Sequence, residues 1–216
     1  MLTKDGSALT KLDAVGAAPS ARTSHGAIFT GRTLIVAGGY GDQASGPNLD
    51  DVWTLDRAIA GAAWKKAATL PTPLGNVTLR ATSETEICAI GISKIGNDWS
   101  LAPIVAIDLK NGTTKSLSVH GANSPKTPWA VAPLGTCFVG YESGTSVDGS
   151  QPSLWRCKKD GDGVVWEKSA LDADAYSLGG ATELRGASTA DGTRAFFIGA
   201  TTWASRRFSR DGRDDG

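Results

Sequence analysis

The chain has 216 residues, with 22 Lys and Arg set against 22 Asp and Glu scattered along it, so it offers no broad basic field to nucleic acid or to an anionic membrane surface. No run of about 18 apolar residues is present to cross a bilayer as a helix, and Met1 to Gly6 lack the apolar stretch of a secretory leader. The 27 glycines exceed the usual share of roughly 7 %, which fits frequent turns better than long helices.

In chain order, residues 1–18 hold one expected outer strand, since Lys4-Asp5-Gly6-Ser7-Ala8-Leu9-Thr10-Lys11-Leu12 parallels the stretch from Asp160 to Lys168. A first unit, about 19–70, places strands over Arg22 to Phe29, Thr33 to Ala37, Val52 to Leu55 and Trp64 to Ala68. A second, about 71–121, has runs at Glu86 to Ile90, Ile104 to Ile107 and Lys115 to Val119. A third, about 122–175, has runs at Thr136 to Val139, Leu154 to Cys157 and Trp166 to Ala170. A partial fourth, about 176–203, begins near Gly179-Gly180 and contains Arg194 to Ile198. Short runs with period-two alternation, broken by Gly, Pro and Asp-Gly, predict strands. Asn111-Gly112 and Asp160-Gly161 supply the positive φ of tight hairpins. Residues 204–216 form a charged tail that reads as solvated.

The register rests on two spacings. Trp53 to Trp64 is eleven residues, and so is Trp155 to Trp166; the middle unit holds Val105 and Ser116 at those places. Each second strand ends in glycine, at Gly38, Gly91, Gly140 and Gly199. A recurrence of about fifty residues is the signature of a repeat array.

The first unit resembles the kelch repeat, in which each unit is a four-stranded blade of a β-propeller. The residues that carry the resemblance are Arg22 and His25 at the opening, the pair Gly38-Gly39, Trp53 in the third strand, Trp64 in the fourth, and the link Leu70-Pro71-Thr72-Pro73. The later units depart from it, with single glycines at Gly91 and Gly140 and no Arg/His opening. The resemblance implies an all-β, kelch-like propeller of about three and a half to four blades. The segment 1–203 then reads as part of a larger propeller, completed by further sequence or another chain.

Each singled-out residue has a plain structural reading. Glycines ending the second strands allow close backbone approach. Trp53, Trp64, Trp155 and Trp166 are expected to pack across strand pairs, an arrangement contributing on the order of 0.5–1.5 kcal/mol beyond burial. The kelch comparison puts Arg22 and His25 on the innermost strand, where they would bond loop carbonyls; a ligand site at the channel mouth is the sharper alternative. Cys88, Cys137 and Cys157, odd in number and without C-x-x-C spacing, are expected to be reduced thiols of a cytoplasmic protein. Cys88 and Cys137 fall at equivalent buried places, and Cys157 is flanked by Arg156, Lys158 and Lys159.

Much chemistry is excluded. Two histidines, His25 and His120, without a clustered motif make a zinc site improbable, and no cofactor is implied. Ser24-His25 is only a dipeptide. The Asp160–Asp162 run lacks the downstream glutamate of a calcium loop, and no phosphate-binding loop is present. A sialidase-type Asp box fails because Lys159 and Gly161 stand where Ser and Asp are needed.

The expected function is therefore a non-catalytic protein–protein interaction or scaffold module that binds through the inter-strand loops Gly41–Asn48, Ser93–Ser100 and Glu142–Gln151, since such loops carry recognition. Trp99, flanked by Asn97 and Asp98, is the leading hot-spot candidate. The alternative implied by the resemblance is a sugar-acting enzyme with Arg22, His25, Glu183 and Arg185 at the channel mouth.

Overall fold

A computed structural model describes residues 14–41, 47–57, 59, 61–95, 98–121, 124–125, 130–142, 153–170, 183–188 and 194–200. Among them the chain is all-β: strands and turns occur, and no helix. Among these described residues no helix is long and apolar enough to cross a membrane. The chain divides into two compact units, residues 1–120 with 159–164, and residues 121–158 with 165–216.

The first unit is built from β1 (Arg22–Thr23), β2 (Gly26–Thr30), β3 (Thr33–Ala37), β4 (Tyr40–Gly41), β5 (Leu49–Asp56), β6 (Lys65–Ala81), β7 (Glu86–Ile95), β8 (Asp98–Leu101), β9 (Val105–Asp108), β10 (Thr113–Ser116) and β11 (Val119–His120). One eight-stranded sheet runs in the order β10-β9-β7-β6-β5-β3-β2, with β8 added to β7. It contains two successive antiparallel meanders: β2, β3, β5 and the start of β6, then the end of β6, β7, β9 and β10.

The proline-bearing link expected between these meanders lies inside a single strand. β6 spans 17 residues and changes partner along its length, from β5 (Val52↔Ala68, Leu49↔Leu74) to β7 (Gly75↔Ile92, Leu79↔Ala89). Pro71 and Pro73 have no N–H to give a ladder, and they fall in the irregular stretch of the β5 pairing between Asp51↔Thr69 and Leu49↔Leu74, just before the exchange of partner at Gly75.

Alternation sorts each strand into a core side and an outer side. Ile35, Ala37 and Val52 of the first meander join Leu79, Ile87, Ala89, Val105 and Ile107 of the second in one buried cluster. Each fully buried Val, Leu or Ile side chain of this cluster contributes about 1.5–3 kcal/mol. The meanders approach so closely that a Cβ on Gly26 would stand 2.6 Å from Leu79 Cγ and 2.8 Å from Val77 Cγ1, and only glycine fits there.

The end of the second unit of sequence differs from expectation. Where one strand over Lys115 to Val119 was predicted, β10 stops at Ser116 and β11 begins at Val119. Leu117 N–H donates to the Ile104 carbonyl, while the Ser118 carbonyl accepts from Val164 N–H, so the backbone turns from one sheet to the next between them. His120 Nδ1 lies 2.8 Å from Asp160 Oδ2 beside this junction.

The second unit contains β12 (Ala130–Leu134), β13 (Cys137–Glu142), most of β14 (Ser153–Asp160) and β15 (Gly163–Ala170), β16 (Glu183–Ser188) and β17 (Ala195–Ala200). A sheet in the order β11-β15-β14-β13-β12 forms a third meander, and β16 and β17 form a separate hairpin. The Asn-Gly and Asp-Gly turns are where the sequence puts them, with Gly112 at φ 68° and Gly161 at φ 58°.

The cysteine expectation is corrected. Cys137 and Cys157 form a disulfide, with Cα atoms 5.6 Å apart, and only Cys88 is a free thiol. The adjacent strands β13 and β14 bring the two within the usual disulfide span, which a separation of 20 residues in sequence does not reveal. Nor are Cys88 and Cys137 equivalent. Cys88 is paired one residue from the Ala89↔Val105 rung, and Val139, not Cys137, holds that place beside the Gly140↔Trp155 rung. Cys88 is half-buried; burial first, then the Glu86 charge, pushes its thiol pKa up.

The leading strand over residues 4–12, the Gly179-Gly180 start and the tail 204–216 lie outside the described residues.

Candidate functional site

The end of the first meander at which β3 passes toward β5 holds the expected kelch-type residues. β1 pairs with β4 through Arg22↔Gly41 and Thr23↔Tyr40, which sets Arg22 beside the glycine pair. Gly38 and Gly39 have φ of 58° and 97°, and a Cβ on them would stand 2.7 Å from the Leu74 carbonyl oxygen and 2.6 Å from that of Thr23. Both conformation and space therefore demand glycine. The freed backbone is well used: Gly38 N–H donates to Asp51 O, Gly39 N–H to Leu74 O, and Gly39 O accepts from Leu49 N–H.

Arg22 is the centre of this end. Its Nη1 donates to Asp51 Oδ1 at 2.6 Å and to the Gly38 carbonyl at 3.1 Å. Nη2 donates to Asp51 Oδ2 at 3.0 Å and to Ser20 Oγ at 3.2 Å, and Nε donates to the Ser20 carbonyl. A guanidinium has five N–H donors, and these five contacts account for all of them. The Arg22 side chain is 4 % exposed and that of Asp51 17 %.

Asp51 also accepts the Trp53 indole N–H at 2.6 Å. Burial acts to raise the Asp51 pKa, but the hydrogen bonds from Arg22 and Trp53 and the Arg22 charge outweigh it and hold the carboxyl below its ordinary value. His25 is exposed, and its pKa is lowered, chiefly by partial burial and then by the Arg22 charge. The result is a part-buried, saturated ion pair beside an exposed imidazole whose protonation is disfavoured.

The third meander repeats the indole arrangement with different residues. Trp155 Nε1 donates to Glu142 Oε2 at 2.7 Å, and Ser153 Oγ donates to the same oxygen at 3.4 Å. Ser153 stands two residues before Trp155, as Asp51 stands before Trp53, but its own rung partner Glu142 supplies the carboxylate. The register also moves Gly140. It lies directly opposite Trp155, whereas Gly38 and Gly91 lie two residues past the partners of Trp53 and Val105. Gly91 is set against the Gly75 carbonyl. Trp155 and Trp166 are buried; Trp53 and Trp64 are half-buried. Trp64 falls just before β6 and not within a strand, since Trp53 pairs with Lys66 across an irregular register.

The connections expected to carry recognition are described in part. Asn48 Nδ2 donates to the carbonyls of Pro73 and Ile92 at 3.4 and 3.2 Å, pinning the return of the first loop between the two meanders. The stretch Ser93–Ser100 is not an open loop: Ser93↔Ser100 and Lys94↔Trp99 pair as β7 extends into β8. Asp98 and Trp99 sit on that added strand, with their side chains outside the described residues, as is the whole of Asn97. Glu183 and Arg185 lie on β16, paired with Ala200 and Ile198; their side chains are likewise not described. The structure thus brings Arg22, His25, Gly38, Gly39 and Trp53 to one end of one meander.

Sequence reasoning missed Asp51, Glu142 and Asn48. Asp51 had a usable signal, an acid two residues before the repeat's tryptophan; Glu142 had none, because its role depends on register across strands. No group of three or more His, Cys, Asp or Glu among the described residues is arranged to hold a metal ion.

No protein-family model and no curated protein matches this chain.

Proposed function

We propose that the chain is a kelch-like β-propeller segment that acts as a non-catalytic interaction module, binding a protein partner through the loops at the β3–β5, β7–β9 and β13–β14 connections. The observation that carries this reading is the threefold recurrence of an antiparallel four-stranded meander, each with a long connection between its second and third strands. Rigid sheets carrying unlike loops are a common way to present a recognition surface. The residues that resemble the kelch opening have a structural task here. The sugar-acting alternative asks Arg22 to meet a ligand, and its donors are already engaged within the first meander. The cytoplasmic placement drew on unpaired cysteines and loses that support with Cys137 and Cys157 joined.

The test is a pull-down with the full chain as bait, repeated after each of the three connections is replaced by a short Gly/Ser linker and after Trp99→Ala. Loss of the same partner on loop replacement, with the circular-dichroism spectrum unchanged, is the expected result. Retention of every partner after all three replacements would refute the binding reading. Sugar turnover abolished by His25→Ala would establish the enzymatic one in its place.

A further inference from the structure

Strands β13 and β14 pair over four rungs, from Val139↔Arg156 to Glu142↔Ser153, and residues 143–152 join them. Closing a connection of that length costs more chain entropy than the two-residue turn between β12 and β13. The Cys137–Cys157 bond sits at the opposite end of the same rungs from that connection. It fixes the end of the pairing that the chain itself leaves open. Both cysteines are buried, at 6 and 4 % exposure, in a sheet whose buried side chains include Phe138, Tyr141, Trp155 and Trp166.

We infer that Cys137–Cys157 is a protected structural staple of the third meander, and that the chain therefore matures where thiols are oxidised. This goes beyond the binding reading and does not depend on it. In forming the bond, two thiols give up two protons and two electrons to a disulfide-bearing oxidant, which leaves as a dithiol. In the reverse direction an external thiolate must reach one of the two sulfurs. With both buried, it reaches them only when the hairpin opens. Cys88, the remaining thiol, belongs to β7 in another sheet, and burial and the Glu86 charge disfavour its thiolate, so it is a poor internal attacker.

The experiment uses the full chain produced with a cleavable export signal, then denatured in N-ethylmaleimide before any reductant is added. One label, on Cys88, is expected, rising to three after reduction. Three labels before reduction, from exported protein with an intact β-sheet spectrum, would overturn the inference. A second measurement needs no variant: native exported protein is reduced with increasing dithiothreitol. A rate far below that of the denatured chain at the same dithiothreitol concentration is expected; a rate equal to that of the denatured chain would overturn protection by burial. A melting temperature unchanged by complete reduction would overturn the staple role.

Discussion

The first and third meanders meet one structural demand with different chemistry. In each, a long connection separates the second strand from the third, and a tryptophan on the third strand has an indole N–H to satisfy. The first meander uses a part-buried ion pair, with Arg22 gripping Asp51 and Asp51 accepting from Trp53. The third has a disulfide at the far end of the rungs and takes the carboxylate from the second strand, where Glu142 receives Trp155 and Ser153. The demand is conserved within the molecule while the residues that meet it are not. Internal repeats of this kind are therefore better compared by hydrogen-bonding role than by letter.

The comparison breaks most sharply at Asp51. Asp51→Ala leaves Arg22, 4 % exposed, with an uncompensated charge, and removing one partner of a buried pair costs about 3–5 kcal/mol. Chemical denaturation should show this as a midpoint shift at nearly constant slope. A loss under about 1 kcal/mol would mean that water reaches Arg22 and that the pair behaves as a surface bridge.

The corresponding change in the third meander is the double variant Cys137→Ala/Cys157→Ala. A cross-link closing a loop of this size contributes about 3 kcal/mol, so the double variant should unfold earlier than oxidised wild type and together with reduced wild type. Glu142→Ala comes next. It leaves the buried Trp155 N–H without its acceptor, at about 1–3 kcal/mol, whereas Glu142→Gln retains an oxygen and should recover most of the loss. If the Gln and Ala variants are equally unstable, the contact with Trp155 is not what Glu142 contributes.

Sequence alone carried the all-β class, the order of the strands and the hairpin turns at Asn111-Gly112 and Asp160-Gly161, because those depend on local alternation and on glycine conformations. It placed Gly38-Gly39 and Arg22 together because one repeat unit keeps its spacing. Features set by register were not legible. The Glu142–Trp155 contact, the Cys137–Cys157 bond and the displacement of Gly140 all depend on which residue faces which across β13 and β14. The passage of β6 through Pro71 and Pro73 was also hidden, since prolines there read as a break when they occupy an irregularity of the β5–β6 ladder. The sequence places Trp99 in a loop, yet its backbone extends the β7 ladder.

The smallest effect separates the two regions by pH. His25 has its folded pKa lowered from 6.5, by partial burial first and the Arg22 charge second, so between that lowered value and 6.5 the unfolded chain binds more protons than the folded one. Stability then falls as pH drops below about 6.5. Asp51 has its folded pKa lowered from 3.8, so its contribution is complete above that value and is lost as pH falls through the lowered one. The first meander should weaken in two acid steps, followed by hydrogen exchange of the β3 and β5 amides against those of β13 and β14. His25→Gln should remove the upper step from β3 and β5 and leave Asp51 to give the lower. An upper step that survives in His25→Gln would move the titrating group elsewhere, and an equal step in β13 and β14 would show that the two meanders unfold as one.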